Sequence, residues 1–394
     1  MMAKTALVGA RLFDGTSFLE DHALVLDADR IMAVVPMSDY AEGSREDIET
    51  IRLDGGLLAP GFIDAQVNGG GGVMLNDDPS PETMYAILNG HRTFGTTSIM
   101  PTLITDADAL RDRAIAAKPQ AVLAGRGVAG LHLEGPHLAP ARKGTHLAKY
   151  MRPLTDADVT LYSEAASSAG RLLLTVAAEQ VTPDQVTALN EAGVLVSIGH
   201  SDTDADTATR LFRAGARGVT HLFNAMSGLS HRAPGLVGAA LDSPMAWAGI
   251  IADGHHVDPA ALRIAIRSKA HGQGKLFFVT DSMSLVGQEE DRLQLNGRTI
   301  YRSRSGFCPR LTLEDGTLAG SDLDMASAVR FGVAYLELDL AEALRMATAY
   351  PADYLRLEDR GRLSVGLRAD LVHLDYDLQV KQTWLGGRSA SEAA

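Results

Sequence analysis

The chain has 394 residues, with 49 Asp plus Glu against 36 Lys plus Arg and a formal net charge of −13. Such a length suits one large α/β barrel plus a modest second domain, and the acidic balance argues against a nucleic-acid or anionic-membrane surface. No apolar run approaches the roughly 20 residues needed to cross a bilayer, no charged-then-apolar leader marks export, and the lone Cys308 precludes an internal disulfide framework, so we expect a cytoplasmic protein.

Along residues 1–58, short strand-like runs at Thr5–Val8, His22–Leu26, Arg30–Val35 and Thr50–Leu53 are separated by turns such as Asp14-Gly15, the pattern of a small antiparallel sheet. From Pro60-Gly61 the texture changes. Eight apolar runs are predicted as strands: Phe62–Val67, Thr97–Pro101, Val128–Leu133, Leu172–Ala177, Leu195–Ile198, Gly218–Leu222, Ala248–Ala252 and Leu276–Thr280. Helical patterns alternate with them, at Pro81–Thr93, Asp156–Ser168, Asp184–Ala192, Asp204–Ala214 and Pro259–Ala270. Continuous apolar strands between amphipathic helices read as a parallel (β/α)8 barrel over residues 59–358. After a helical stretch at Leu338–Leu357, β runs return at Gly361–Leu363, Asp370–Asp375 and Gln379–Trp384. We therefore expect a small β-sandwich domain assembled from residues 1–58 and 359–394.

Nearly every predicted barrel strand ends in a polar or ionisable residue: Asp64, Gln66 and Asn68, then Thr102, Glu134, Glu179, His200, His221, Asp253 and Asp281. Barrel enzymes gather their chemistry at those ends. Glu134, His200 and His221, each from a different strand, form a carboxylate-plus-two-imidazole set that suits a divalent metal with open positions. Asp281 is predicted as the carboxylate that takes a proton from a metal-acidified water and returns it to a leaving amine. The run Asn68-Gly69-Gly70-Gly71-Gly72 lacks the Gly-Lys-Ser/Thr ending of a phosphate cradle and reads as a flexible turn beside the site.

Several stretches, in this order and spacing, resemble the N-acetylglucosamine-6-phosphate deacetylases of the amidohydrolase superfamily. They are Pro60-Gly61-Phe62-Ile63-Asp64, His132-Leu133-Glu134-Gly135-Pro136, Lys143-Gly144-Thr145-His146, Gly199-His200-Ser201, Thr220-His221-Leu222-Phe223-Asn224-Ala225-Met226, Ile251-Ala252-Asp253-Gly254, Val279-Thr280-Asp281 and Gly316-Thr317-Leu318-Ala319-Gly320-Ser321. The resemblance implies a TIM-like barrel of the amidohydrolase type and hydrolysis of the acetamide of N-acetylglucosamine 6-phosphate to glucosamine 6-phosphate and acetate. It assigns Glu134, His200 and His221 to the metal and Asp281 to acid/base work. It adds His146 beside the reacting amide, and Asn224 with Ala225 as polar and backbone contacts. Arg232 and His256 would be phosphate and sugar contacts that reach a neighbouring active site across a homodimer, local cations that an acidic protein needs to hold a dianion.

Where many amidohydrolases carry His-x-His, this chain has Gln66-Val67-Asn68. Neutral amides are poor ligands for a second transition metal, which favours one ion per subunit, with Gln66 or Asn68 orienting the site water. The ligand set suits zinc first, and iron, cobalt and manganese also fit. Departures from the family pattern fall at His137, Ser227–His231, Ser282 and Ser284–Val286, and we expect them to lie where substrate lies. The alternatives are deacetylation of a related substrate such as N-acetylgalactosamine 6-phosphate, or a non-catalytic scaffold on the same fold. Retention of all four site residues argues against the scaffold.

Overall fold

The computed structural model describes residues 4–40, 48–295 and 297–389. Its centre is an eight-stranded, all-parallel sheet in chain order: β1 (Phe62–Val67), β2 (Thr96–Ile104), β3 (Gly130–Glu134), β4 (Arg171–Val176), β5 (Leu195–Ile198), β6 (Gly218–Val219), β7 (Trp247–Ile250) and β8 (Leu276–Phe278). The residues of these strands are almost all buried, as strands covered by helices on the outside and filled by side chains on the inside must be. β2 is longer than predicted, so Thr102 lies within it rather than at its end.

Closure between β8 and β1 differs from the other seven seams. No regular ladder joins them; one parallel bridge, Val67 to Ser282, does, with Asp281 N–H donating to Gln66 O at 2.9 Å. Below that bridge a side chain takes over. Fully buried Asp64 accepts from Thr280 N–H at 3.2 Å and from Thr280 Oγ1 at 2.5 Å. Burial pushes the Asp64 carboxyl up to about 7 despite those bonds.

The helices that follow the strands start where the sequence supplies an N-cap. Ser80, Thr155, Thr182, Asp204, Asp258 and Asp324 each accept from a backbone N–H of the first turn, opening Pro81–Arg92, Asp156–Ser167, Pro183–Glu191, Ala205–Arg213, Pro259–Lys269 and Met325–Tyr335. Two further helices, Asp108–Leu123 and Gly235–Asp242, have no side-chain cap. A three-stranded antiparallel sheet, Arg292–Leu295, Arg298–Ser303 and Arg310–Thr312, is inserted between β8 and its helix. It seals its own core of Leu293, Leu295, Ile300 and Leu311 against Met283 and Leu285.

Both termini build the second domain. A sheet ordered 30–36, 22–27, 4–8, 48–52 faces a six-stranded sheet that joins N-terminal strands 11–13, 18–19 and 57–60 to C-terminal strands 371–374, 380–385 and 388–389. Leu7, Leu12, Leu24, Ile31, Leu58, Leu371 and Trp384 fill the space between them. The strand Leu57–Pro60 runs straight on into β1, so the sandwich is tied to the barrel at the foot of the strand that carries Asp64 and Gln66.

Candidate active site

At the C-terminal mouth of the barrel, Glu134 ends β3, while His200 and His221 follow β5 and β6 by two residues. Their ligand atoms converge. Glu134 Oε1 lies 3.1 Å from His200 Nε2 and 3.0 Å from His221 Nε2, and the two nitrogens are 3.0 Å apart. A triangle of that size is one face of a ligand shell for bonds of about 2 Å. All three residues are buried. His200, His221 and Asp281 have φ of +48°, +32° and +49°, a left-handed region that costs a non-glycine residue roughly 1–3 kcal/mol, so the surrounding structure forces these side chains inward.

Second contacts fix the ring orientations. His200 Nδ1 donates to Arg142 O at 2.8 Å, which leaves its Nε2 as a lone pair facing Glu134 and His221. Arg142 is itself held, because its guanidinium grips Asp202 at 2.6 and 2.9 Å, two residues beyond His200.

His146 comes from the loop after β3. Its Nδ1 accepts from Thr105 N–H at 3.2 Å, so the neutral ring carries its proton on Nε2, which faces Glu134 Oε2 at 3.7 Å. Burial, assisted by the His200 ring, pulls His146 down to about 3. It is therefore a neutral donor in the physiological range.

Asp281 is placed by neutral amides. Gln66 Nε2 donates to Asp281 Oδ1 and to Glu134 Oε1, both at 3.1 Å, while Asn68 Nδ2 donates to Asp281 Oδ1 at 2.7 Å. Burial and the negative charge of Glu134 raise the Asp281 carboxyl above its usual range. The glycine run after Asn68 is a tight hairpin, Gly69–Gly70 against Val73–Met74, and not an open turn. At Gly71 (φ +62°) a Cβ would meet Ala86 O at 2.5 Å. Beneath the site lies a buried polar chain. Thr102 to His132 (3.1 Å), His132 to Thr175 (2.8 Å), Thr175 to Thr220 (2.7 Å) and Thr220 to Ser197 (2.7 Å) cross the barrel from β2 to the residue after β6.

The remaining predicted residues are more dispersed. Asn224 Nδ2 donates to His221 O at 3.2 Å, bracing a ligand's backbone, and Ala225 follows with φ +49°. His256 Nδ1 bonds Asp253 Oδ2 at 2.6 Å. Arg232 lies in the exposed run 228–234 and forms no ion pair among the described residues. His137 does not line the mouth as expected; its ring turns into the core, Nε2 meeting the Tyr162 hydroxyl at 3.0 Å. Ser282 is also fully buried, bonding Gly69 O at 3.0 Å and His91 Nε2 at 3.1 Å. Thr105, Arg142 and the orienting role of Asp253 escape sequence reading. Thr105 sits in a loop and Arg142 ends a short 3-10 helix, and only Asp253 carried a signal, as a charge after a predicted strand.

An amidohydrolase family profile matches residues 57–390, and a NagA composite domain profile matches residues 5–58. The chain is 40% identical to an N-acetylgalactosamine-6-phosphate deacetylase of Shewanella sp. (strain ANA-3), over 95% of this chain and 93% of that one. It is 35% identical to an N-acetylglucosamine-6-phosphate deacetylase of Haemophilus influenzae, over 98% and 99%. The crystal structure of N-acetylglucosamine-6-phosphate deacetylase from Pasteurella multocida superposes with a TM-score of 0.90 at 35% identity, covering 98% of this chain and 99% of that one.

Proposed function

Because the chain belongs to the amidohydrolase family and is a hydrolytic enzyme, we propose that it removes the acetyl group of N-acetylglucosamine 6-phosphate, giving glucosamine 6-phosphate and acetate. The observation that carries this reading is the Glu134, His200, His221 triangle joined to Asp281 through the Gln66 amide. A second reading, the galactosamine epimer, is favoured by the 40% identity to the Shewanella enzyme.

The donor set fits one divalent metal ion, zinc first, with iron, cobalt or manganese also compatible. His200 Nε2 is a fixed lone pair, and three donor atoms converge at 3.0–3.1 Å where a carboxylate and two imidazoles otherwise have little reason to crowd. When bound, such an ion supplies Lewis-acid polarisation of a carbonyl and acidification of water. Gln66 and Asn68 offer neutral amides, poor ligands for a second transition metal, which supports a single ion rather than two.

Within that site, Asp281 accepts a proton from the attacking water and delivers it to the amine as the C–N bond breaks. Its raised affinity for a proton makes it able to do both. His146 Nε2–H donates to the amide oxygen as negative charge builds there. Arg232, exposed and without a carboxylate partner among the described residues, supports the homodimer reading in which it reaches the phosphate in the neighbouring subunit's site. His256, held by Asp253, supports service as a sugar contact. We divide the chain into 1–58 and 359–394 for the small domain and 59–358 for the barrel. No described helix is long and apolar enough to cross a membrane, and we assign the protein to the cytoplasm on its single cysteine.

The test is acetate release from both amino-sugar epimers, phosphorylated and unphosphorylated, after reconstitution with several divalent ions. The reading fails if neither phosphorylated epimer is hydrolysed faster than its unphosphorylated form.

A further inference from the structure

A second cationic site lies at the opposite end of the barrel. Between the N-terminal ends of the strands and the small domain is a cleft of about 680 Å³ lined by Arg92, Arg126, Arg368 and Arg388, with Asp29 as the one acid among its described lining residues. Asp370 adds one carboxylate nearby, paired with Arg368 at 3.0 Å. Four guanidiniums against two carboxylates leave an excess of two positive charges in a chain whose net charge is −13.

Arg368 is held by Asp370 and by Gly125 O, whereas Arg92, Arg126 and Arg388 have no ion-pair partner among the described residues. Arg92 is only 8% exposed and its Nε has no partner; burial lowers its pKa, and its NH2 group donates to Arg388 O at 3.2 Å. Arg126 lies over the Tyr85 ring at 5.1 Å, with no ion pair among the described residues. Two helices end at this rim, Pro81–Arg92 and Asp108–Leu123, and cations often neutralise such ends. Arg368 serves one of these ends by donating to Gly125 O, but among the described residues neither Arg92 nor Arg126 donates to a carbonyl of those helices. A buried, under-satisfied guanidinium is costly unless an anion answers it.

We propose that this cleft binds a phosphate dianion, either inorganic phosphate or the phosphate of a phosphorylated sugar. The excess charge matches a dianion, and planar guanidiniums suit tetrahedral oxyanions through paired N–H donors. A volume of about 680 Å³ takes a sugar phosphate as readily as a free ion. The inference is independent of the reaction assigned to the other end of the barrel.

The experiment is calorimetric titration of the metal-loaded protein at low ionic strength with inorganic phosphate and, separately, with glucose 6-phosphate. Three proteins are compared: the wild type, Arg126→Ala/Arg388→Ala, whose changed side chains are exposed, and Arg232→Ala. We expect a site that persists in Arg232→Ala and weakens by about tenfold or more in Arg126→Ala/Arg388→Ala, whose turnover stays unchanged. Tighter binding of glucose 6-phosphate identifies a sugar phosphate as the occupant; equal or tighter binding of inorganic phosphate identifies the free ion. The proposal is overturned if the arginine double variant titrates as the wild type does, or if Arg232→Ala abolishes all phosphate binding.

Discussion

The backbone N–H of Thr105 points at Nδ1 of His146 from 3.2 Å, with the Thr105 hydroxyl at 2.9 Å, and a nitrogen that accepts from that N–H leaves the ring's proton on Nε2. With its pKa drawn down to about 3, His146 meets its substrate as a neutral Nε2–H donor rather than as an imidazolium. Replacing it by Ala removes a donor to the developing oxyanion, and we expect kcat to fall by about 10²–10³-fold while bound metal is retained. Steady-state kinetics with metal analysis decide this; a kcat within threefold of wild type rules the role out.

Asp281→Asn keeps the shape and the hydrogen bond from Asn68 but cannot accept a proton. Turnover should drop by roughly 10²–10⁴-fold with substrate affinity little changed. Single-turnover rates together with equilibrium binding of a substrate analogue check it, and activity within tenfold of wild type would disprove the assigned base.

Removing the metal with a chelator should abolish acetate release and lower the melting temperature, since an ion that binds only the folded protein stabilises it by mass action. Adding back zinc, iron, cobalt or manganese one at a time should restore both, in an order that ranks the ions. His221→Ala removes one corner of the triangle and should purify with little bound ion under any of these conditions.

Arg142 and Asp202 act on the site at one remove, by holding the carbonyl that receives His200 Nδ1–H. Asp202→Ala should weaken metal affinity by about tenfold through loosened ring orientation. Because both partners are partly exposed, added salt should weaken metal binding in the wild type more than in the variant. Competition with a chromophoric chelator measures it, and equal affinities would remove the clamp from the account.

Acid stability should report on Asp158. This 5%-exposed carboxylate receives Arg152 at 2.5 and 2.8 Å and Thr155 at 2.6 and 2.9 Å; burial raises it, but these bonds win and hold it far below its ordinary range. A group depressed on folding stabilises the protein above its unfolded pKa, about 4, and that contribution drains away as the pH falls below it. Asp158→Asn should therefore cost roughly 2–4 kcal/mol at pH 7 and progressively less toward pH 2–3. Denaturation across that range checks the sign, and a difference that grows on acidification would contradict it.

Much of this was readable from residues alone. Phe62–Val67 and Leu195–Ile198 were found at their full extents, because apolar runs flanked by turns leave little freedom. Glu134, His200, His221 and Asp281 were visible because each interrupts apolar chain at a strand end. Asp108–Leu123 and Gly235–Asp242 escaped notice for a physical reason: they start at Ala107 and Pro234, with no capping side chain to mark an entrance. The inserted sheet at 292–312 was missed because its alternation falls where a loop was expected between strand and helix. His137 was misplaced because sequence shows which side chain is present and not which way it turns; Tyr162, 25 residues away, drew it inward. The contacts of Thr105 and Arg142 are made by main-chain atoms, which every residue has, so no side-chain pattern could reveal them.

Asp281, the carboxylate we propose for acid/base work, rides on the seam between β8 and β1, where a single bridge and the Asp64 carboxylate do what a full ladder does elsewhere. Its three metal-facing companions stand on the continuous side of the wall. On warming, we expect a barrel of this build to part first at that joint, carrying the proposed proton acceptor away from Glu134, His200 and His221. Such an enzyme falls silent while its secondary structure still looks whole.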